Sequence, residues 1–486
     1  MQNSESSGKM TNSNNNSSID ASQCRQGEFN LKTKDDLQVL ANELGVAIGA
    51  QEDLSPLARP VQVGNYLIPN SLAIHPMEGC DGDSQGRPDE LTIRRYDRFA
   101  AGGAGLLWVE AMAVVPEARA NPRQLWIHSG SQKAFTDLVK RIRLMAAKHC
   151  GSGHRPLLIL QLTHSGRYSK PVSQPEPMIC QHDPYRDGLV PQPKPNKDVP
   201  TKIPAEQPVV TDEYLDKLQD AYVQSARMAF AAGFDGVDIK SCHGYLVNEL
   251  LGSHERAGKY GGSFENRSRF LLEVMHKIQS EWGKEKLITT RMGVYDAVPY
   301  PYGWGVDRDD YTKCDLTEPV KLISLLVQRG LKLLNITIAN PYYNPHCNRP
   351  FSRPIEGGYE QPEHPLLGVV RLIDLAAQIQ KQFPRLAVVG TGYSWLRGLF
   401  GQVAAASKAH KKATLIGGGR MAFAYPDFPH DIIETGKLDL RKVCICCSMC
   451  SQIMRNGGRT GCVIRDNKVY GPIFRQGSTD SNGRRG

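Results

Sequence analysis

Short apolar runs alternate with longer amphipathic segments along most of the chain. Stretches such as "DEYLDKLQDAYVQSARMAFAAG" and "NRSRFLLEVMHKIQSEWG" repeat Leu, Ala and Phe at three- and four-residue spacing, which predicts helices with one buried face. The apolar runs between such segments have the length of buried strands. The eight predicted strands are Ser71–His75, Gly105–Glu110, Leu157–Leu162, Gly236–Ile239, Leu287–Arg291, Leu333–Ile338, Leu386–Gly390 and Ala413–Ile416.

The alternation of strands and helices predicts an α/β fold with a parallel sheet and right-handed crossovers. Eight such units over about 350 residues fit a (β/α)8 TIM barrel better than an open doubly wound sheet. An open sheet would carry a dinucleotide fingerprint after an early strand, whereas "GTGYSW" at Gly390 lacks the third glycine and comes late. We therefore predict a barrel over residues 51–440 with a C-terminal cysteine-cluster extension at 441–470.

The two ends of the chain are poor in apolar residues. The start, "MQNSESSGKMTNSNNNSSIDASQ", is rich in Ser and Asn, so we expect residues 1–50 to form a disordered tail. We expect residues 471–486, which end in "RQGSTDSNGRRG", to form a flexible tail. Long Pro-rich segments follow the third, fifth and sixth predicted strands. Loops of that length are usually functional or disordered, and three on one barrel face predict a deep, covered pocket.

The composition excludes several classes of protein. Apolar residues make up 40% and charged residues 22% of the 486 residues, and no run of about 18 apolar residues would span a membrane. The net charge of +9 is spread along the chain without a dense basic block, so we expect no nucleic-acid partner. The N-terminus lacks a signal-peptide pattern, which predicts a cytoplasmic protein. The twelve cysteines are then thiols or metal ligands rather than disulfides.

Five of the twelve cysteines lie within residues 444–462, in "CICCSMCSQIMRNGGRTGC". Cys444, Cys447, Cys450 and Cys462 have the spacing C-x2-C-x2-C-x11-C, which leaves Cys446 as the spare thiol. Compact spacing with one distant ligand suits a [4Fe–4S] cluster. A four-cysteine zinc site and a vestigial, empty site are the alternatives.

Polar residues stand at the ends of several predicted strands, where barrels of this kind carry their chemistry. Gln161 and His164 end the third strand, and Arg291 ends the fifth. "GTGY" from Gly390 and "GGGR" ending at Arg420 follow the last two strands. Glycines let backbone N–H groups approach a phosphate, which an arginine can bind with two hydrogen bonds. The pattern thus predicts a phosphorylated ligand, although glycines that only form tight turns would explain it too.

Seven sequence blocks, in this order, resemble the Old Yellow Enzyme family of NADH:flavin oxidoreductases. The blocks are "LAIHPMEG", "GAGLLWVEAMAV", "QLTHSGRYS", "CHGYLVNELL", "KYGGSFENRSRFLLEV", "GGGRMAFAYPDFP" and the cysteine cluster, and they span residues 60–465. The cysteine cluster places the resemblance near the branch of 2,4-dienoyl-CoA reductase and trimethylamine dehydrogenase, and it favours [4Fe–4S] over zinc. The resemblance implies a barrel that binds FMN, with NAD(P)H as an electron donor.

The resemblance also implies which residues hold FMN. Gln161 would hydrogen-bond the pyrimidine ring, and Arg291 would lie near N1 and O2, where its charge stabilises the reduced, anionic flavin. The implied set is Pro76, Met77 and Ala111 beside the flavin, Gln161 and Arg291 at the pyrimidine ring, and Gly390, Gly392, Gly419 and Arg420 at the phosphate.

The turn after the fourth strand, in "GFDGVDIKSCHGYLVNELLG", matches the catalytic positions of the family. The resemblance implies that Lys240 and His243 orient the substrate and that Tyr245 donates a proton. Lys240 departs from the family, which usually has His or a small polar residue there. Glu78 departs as well, because Thr, Cys or Gly commonly follows the Pro-Met pair. Lys240 could therefore bind an anionic substrate oxygen or form a structural ion pair, for which Glu78 is a candidate partner.

We predict that the protein reduces an activated C=C bond of a small enone- or enoate-type molecule. One alternative is an amine or C–H dehydrogenase that passes electrons through the cluster to a separate protein. About 24 residues follow Cys462, whereas the relatives carry dinucleotide-binding domains there. A non-catalytic electron carrier is the third reading, and a homo-oligomer is compatible with all three. An aromatic box for an amine could come from Tyr295, Tyr300, Tyr302, Trp304, Tyr342 and Tyr343.

Three further sequence features lie outside these assignments. Asp81-Gly82-Asp83 resembles part of a calcium loop, but the rest of the spacing is missing, so we interpret it as a turn. His346 and Tyr342 are candidate substrate contacts in the loop after the sixth strand. His164 is expected to line the active site.

Overall fold

The computed structural model describes residues 29–188 and 202–477, and its centre is a closed barrel of eight parallel strands. Two short antiparallel strands, β1 (Val61–Val63) and β2 (Tyr66–Ile68), precede the barrel. Strand β10 pairs with β3, which closes the barrel. The barrel strands are β3 (Leu72–Ile74), β4 (Leu106–Ala113), β5 (Leu157–Thr163), β6 (Gly236–Ile239), β7 (Leu287–Gly293), β8 (Leu333–Thr337), β9 (Ala387–Gly390) and β10 (Leu415–Gly418).

All eight predicted strands are present, and the predicted TIM barrel is confirmed. Helices connect the strands and surround the barrel. The helices are α1 (Lys34–Glu43), α2 (Ser55–Ala58), α3 (Glu90–Ala101), α4 (Gln132–Cys150), α5 (Asp212–Ala232), α6 (Leu246–Leu251), α7 (Phe264–Trp282), α8 (Thr317–Gln328), α9 (Pro345–Asn348), α10 (Pro365–Gln382), α11 (Phe400–Ala409), α12 (Arg420–Ala424), α13 (Phe428–Thr435), α14 (Met449–Arg455) and α15 (Asn467–Gly477).

Helix α5 illustrates why these segments are helical. The Thr211 side chain accepts a hydrogen bond from the backbone N–H of Tyr214 and so caps the first turn. Leu215, Leu218 and other apolar residues spaced along one face are buried against the barrel. Gly233 ends the helix in the left-handed region, at φ 101°, which a residue with a Cβ rarely adopts.

The hairpin of β1 and β2 closes the N-terminal end of the barrel. Val61, Val63 and Ile68 belong to one buried cluster with residues that begin the barrel strands, such as Leu106 and Leu157. Full burial of an aliphatic side chain of this size contributes about 1.5–3 kcal/mol. The periodicity did not predict the hairpin, because strands of three residues are too short to show it.

Two expectations about the ends of the chain are wrong for the described residues. Helix α1 lies within the expected N-terminal tail, where Thr33 and Asp36 form a capping box and Leu37 and Ala41 are buried. Helix α15 extends to residue 477, and Tyr470 at its start is buried. Leu37 and Ala41 join the main hydrophobic core, and Tyr470 packs with Ile453 and Val463, which the polar composition of both segments had concealed. Residues 1–28 and 478–486 lie outside the described residues.

The cysteine-rich segment packs against the loops at the carboxyl ends of the strands. The backbone N–H of Thr460 donates to the carbonyl of Gly79 at 2.6 Å, and that of Ser352 donates to Cys446 at 2.9 Å. These contacts place the cysteines beside the loops after β3 and β8. Separately, no helix in the described part of the chain has the length and apolar character that crossing a bilayer requires.

Candidate active site

A cleft opens at the carboxyl ends of the barrel strands, and it brings together most of the predicted site residues. Its walls come from the ends of β3, β5, β6 and β7, from the loop after β8, and from α12 and α14. The lining residues are Pro76, Met77, Glu78, Gln161, Lys240, His243, Tyr245, Arg291, Pro341, Tyr342, Arg349, Arg420, Phe423, Cys450, Ser451, Met454, Arg455 and Thr460.

A buried carboxylate organises the floor of the cleft. Asp238 Oδ2 accepts hydrogen bonds from Gln161 Nε2 at 2.6 Å and from the Trp108 indole N–H at 2.7 Å. Its Oδ1 accepts from the backbone N–H of Arg291 at 2.6 Å. Burial raises the pKa of Asp238 to about 6. One of the two Gln161 N–H groups is thus committed to Asp238, and the amide oxygen can accept a hydrogen bond from a ligand.

The Arg291 guanidinium is a buried cation without a carboxylate partner among the described residues. Only 8% of the residue is exposed, and its Nε has no hydrogen-bond partner. Burial lowers its pKa. Leaving a buried charge unpaired is costly, so this position is suited to an anionic ligand.

Lys240, Glu78 and Tyr245 form one contact group on a wall of the cleft. Lys240 Nζ lies 3.1 Å from Glu78 Oε1 and 3.4 Å from the centre of the Tyr245 ring. The Tyr245 hydroxyl donates to the same Glu78 oxygen at 3.3 Å. Burial and the Glu78 charge raise the pKa of Tyr245 well above its usual range. The phenol therefore stays protonated at neutral pH. Lys240 forms an ion pair with Glu78.

A buried ion-pair network holds the loop that carries Glu78. Arg95 on α3 pairs with both Asp81 and Glu110, and Glu110 Oε2 accepts the backbone N–H of Gly79 at 2.7 Å. Asp81 also accepts from Thr92 Oγ1 at 2.6 Å, so it is a structural residue, in agreement with its interpretation as a turn. Sequence reasoning missed Arg95, because nothing distinguishes it from the surface arginines of the same helix.

His243 occupies a left-handed backbone position beside Lys240, with φ 69°. Gly244 follows at φ 70°, and a Cβ there would lie 2.3 Å from Asn340 Nδ2, so the turn requires glycine. His243 Nε2 is 3.3 Å from Thr337 Oγ1. Burial, together with the charges of Arg291 and Lys240, lowers the pKa of His243 well below its usual range. The imidazole is therefore neutral and can offer one N–H to a ligand.

Three tyrosines form an aromatic wall above this group. The rings of Tyr342 and Tyr168 are 4.1 Å apart, those of Tyr168 and Tyr245 are 5.9 Å apart, and the hydroxyls of Tyr245 and Tyr342 are 3.3 Å apart. Of the six aromatic residues expected to form a box, Tyr342 alone lines the cleft. Tyr168, which the sequence did not single out, takes part instead.

Two predicted histidines do not reach the cleft. His164 is buried, with Nε2 2.9 Å from the Tyr214 hydroxyl and Nδ1 accepting the backbone N–H of Gly166, so the expectation that it lines the active site is wrong. His346 contacts the Tyr359 hydroxyl at 2.6 Å and is not a lining residue. Both imidazoles are thus engaged by neighbouring groups, His164 by a side chain and a backbone N–H and His346 by the Tyr359 side chain.

The two glycine-rich turns lie next to each other beside the cleft. The backbone N–H of Met421 donates to Ser394 Oγ at 3.2 Å, which joins the turn after β9 to α12. Gly392 has φ 103°, and Met77 packs on Gly419. These turns could hold a phosphate attached to a ligand in the cleft.

Gly390, at the end of β9, and Ala111, near the end of β4, are buried and do not line the cleft.

Arg420 stands between the cleft and the cysteines. Its Nη2 donates to the Pro350 carbonyl at 2.6 Å, whereas its buried Nη1 has no partner. Arg420 also lines a small second pocket, together with Arg465, Phe423 and all five clustered cysteines. Cys450 lines both the cleft and this pocket.

In the described part of the chain, no three of the clustered cysteine sulfur atoms lie within 4.8 Å of one another. Zn–S bonds of about 2.3 Å place the four sulfur atoms about 3.8 Å apart. Cys444 and Cys446 have sulfur atoms 3.9 Å apart. Within residues 29–188 and 202–477, one group of three side chains has potential metal-ligand atoms within 4.8 Å of one another, namely His346, Cys347 and Glu363. Arg371 forms an ion pair with that glutamate.

Comparison with known proteins places the chain in a family. The family model described as NADH:flavin oxidoreductase / NADH oxidase family matches residues 56–304. An NADPH dehydrogenase of Clostridium acetobutylicum is 30% identical over 237 residues, which are 48% of this chain and 62% of that relative. This chain thus matches less than two thirds of the relative's length.

Two solved structures share the fold at 18% sequence identity each. A 2-naphthoyl-CoA reductase in complex with 2-naphthoyl-CoA superposes with a TM-score of 0.64, over 87% of this chain and 58% of that one. Histamine dehydrogenase from Rhizobium sp. 4-9 superposes with a TM-score of 0.59, over 86% of this chain and 53% of that one. The family model covers just over half of the chain, from the β1–β2 hairpin region to the loop after β7. The chain therefore belongs to the NADH:flavin oxidoreductase / NADH oxidase family.

Proposed function

We propose that the protein is an FMN-dependent oxidoreductase that reduces an activated C=C bond, with NAD(P)H as the source of electrons. One observation carries the proposal. A protonated phenol, Tyr245, lines the same cleft as a neutral imidazole, His243, and an unpaired buried cation, Arg291. Such a reduction needs three protein groups, which are an acid, a hydrogen-bond donor for an oxyanion and a site for an anionic ring.

The residues of the cleft fit FMN. The Gln161 amide oxygen can accept from the pyrimidine ring, and Arg291 Nε lacks a partner. At the other end, Arg420 Nη1 is buried without a partner beside the two glycine-rich turns, where a phosphate would be held. Bound FMN would supply the hydride, and the protein supplies position and charge.

Tyr245 and His243 would act on the substrate in different ways. His243 can donate its N–H to the carbonyl oxygen that activates the C=C bond, and the charge that develops there is stabilised by this hydrogen bond. Tyr245 holds a proton on its hydroxyl, because burial and Glu78 oppose ionisation. After the phenol has given up its proton, the hydroxyl of Tyr342, 3.3 Å away, is a protein group that could return one.

Lys240 takes a different role from the one that the resemblance implied. Its ammonium is engaged by Glu78 and covers the Tyr245 ring, so it is not free to bind the substrate carbonyl. We propose that Lys240 positions Tyr245 and balances the Glu78 carboxylate.

We further propose that Cys444, Cys447, Cys450 and Cys462 hold a [4Fe–4S] cluster. The C-x2-C-x2-C-x11-C spacing supports this proposal, and so does Arg420, which lines the same pocket and whose charge would offset that of iron bound to four thiolates. Cys450 also lines the cleft, so electrons could pass between FMN and a separate electron-transfer protein.

The second candidate function is an amine or C–H dehydrogenase that releases electrons through the cluster. The aromatic wall and the fold shared with histamine dehydrogenase favour it. A cationic amine would, however, meet Arg349 and Arg455, which line the cleft and donate to Ser451 and to the Pro341 carbonyl, with no carboxylate partner in the described part of the chain. The charge of the cleft therefore favours the reductase.

Replacing Tyr245 with Phe tests the proposal. General acid catalysis typically contributes about 10²–10⁴-fold, so oxidation of the reduced enzyme by an enone should slow by that factor while FMN stays bound. Tyr222→Phe is the matched control, since Tyr222 is buried on α5 and is not one of the residues that line the cleft. Unchanged turnover in Tyr245→Phe, and also in His243→Ala, would support a non-catalytic electron carrier instead.

A further inference from the structure

Another pocket, of about 310 Å³ and distinct from the pocket of the clustered cysteines, adjoins the cleft. We call it the outer pocket. Glu78, Tyr342, Met454 and Arg455 line both spaces, so a single ligand can extend from one into the other. The rest of this outer pocket is formed by the loops after β3, β4 and β5 and by the glycines that follow α14.

Three cations line the outer pocket, and none has a carboxylate partner in the described part of the chain. Arg123 donates to the carbonyls of Cys80 and Gly457. Arg455 donates to the Pro341 carbonyl at 3.2 Å, and its buried Nε has no partner. Lys170 is half-buried, and its ammonium has neither an ion pair nor a hydrogen bond within residues 29–188 and 202–477.

The negative charge of the outer pocket does not balance these cations. Among the described residues, Glu78 is the one carboxylate that lines it, and Lys240 already neutralises that carboxylate. Neither the glycine-rich turns nor the clustered cysteines line this space, so the FMN phosphate and the iron–sulfur cluster would not supply the missing charge. A concave, partly buried site with excess positive charge is suited to carboxylate or phosphate.

We propose that Arg123, Lys170 and Arg455 bind an anionic group, carboxylate or phosphate, of a molecule whose reacting end lies in the cleft. The position of the reacting end rests on the proposed function, whereas the anion site does not. The anionic group belongs either to the oxidising substrate or to the nicotinamide nucleotide.

Lys170 offers the cleanest test, because its side chain supports no neighbour. The FMN-loaded protein is titrated calorimetrically with inorganic pyrophosphate and with a cyclopentanone that carries a carboxylate-ended alkyl chain. Removal of one charge-assisted contact should weaken binding about tenfold in Lys170→Met, and Lys170→Arg should restore it. The methyl ester of the same ketone, a neutral control, should bind equally to all three proteins. Equal affinities of all three proteins for both anions would overturn the proposal.

Two kinetic measurements show whether the substrate or the nicotinamide nucleotide carries the anionic group. A loss of kcat/KM in Lys170→Met for an enone carboxylate, but not for its ester, assigns the site to the substrate. A loss for NADPH or NADH in reduction of the flavin assigns it to the nucleotide. The two proposals can fail separately. Weaker anion binding in Lys170→Met would support the anion site, even if normal turnover in Tyr245→Phe rejects the proposed reduction.

Discussion

Lys240 Nζ lies 3.1 Å from Glu78 Oε1, although 162 residues separate the two in the chain. Their side chains are 4% and 16% exposed. The two residues that the sequence resemblance singled out as departures are therefore partners. The same Glu78 oxygen accepts the Tyr245 hydroxyl, so the pair is coupled to the proposed proton donor.

A double-mutant cycle tests this coupling. Lys240→Met leaves the Glu78 carboxylate unpaired, and Glu78→Gln leaves the ammonium unpaired. Removal of one partner of a buried pair should cost about 3–5 kcal/mol, whereas removal of both should cost much less. Thermal unfolding of the four proteins measures the effect, and the double variant should have a higher Tm than either single variant. Losses that simply add would show that the two residues do not depend on each other.

The stability of the protein should depend on pH through Asp238. Its carboxyl titrates near 6 in the folded protein and near 3.8 when unfolded. Between these values the folded state binds more protons, so stability should fall as pH rises from about 4 to 6 and then level off. The full effect is about 3 kcal/mol, at 1.36 kcal/mol for each unit of pKa.

Calorimetry of the wild type and of Asp238→Asn between pH 4 and 7 separates this contribution from other titrations. The difference in Tm between the two proteins should change across the window and stay constant above pH 6. Parallel pH profiles would mean that Asp238 has an ordinary pKa in the folded state.

The sequence was most informative where a pattern repeats. Eight apolar runs identified the barrel strands, since each strand is buried and four or more residues long apart from β3. The β1–β2 hairpin was missed because three residues show no period. The helix around Leu37 was missed because the polar composition before it dominated the interpretation.

The site was predictable at strand ends but not in its supporting contacts. The resemblance supplied Gln161, Arg291 and Tyr245, and all three line the cleft. Asp238 was visible as a lone carboxylate in an apolar strand, a signal that we did not use. The pairing of Arg95 with two carboxylates depends on how α3 packs on the barrel, which no local pattern reports.

The cysteine assignment predicts different outcomes for two neighbouring thiols. Cys447→Ser should lose the iron and the broad absorbance near 400 nm, because a serine hydroxyl does not replace a thiolate ligand. Cys446→Ser is the matched control and should keep both. Iron and sulfide analysis of the two variants makes the comparison. Loss of iron in Cys446→Ser with retention in Cys447→Ser would exchange the two residues in the ligand set.

The measurement that tests the account most directly is the cofactor content of the protein purified without oxygen. Flavin, iron and acid-labile sulfide should be quantified per chain, together with the absorbance spectrum. The account predicts about one FMN with about four iron and four sulfide. A folded chain that contains no flavin, and takes up none from added FMN, would contradict it.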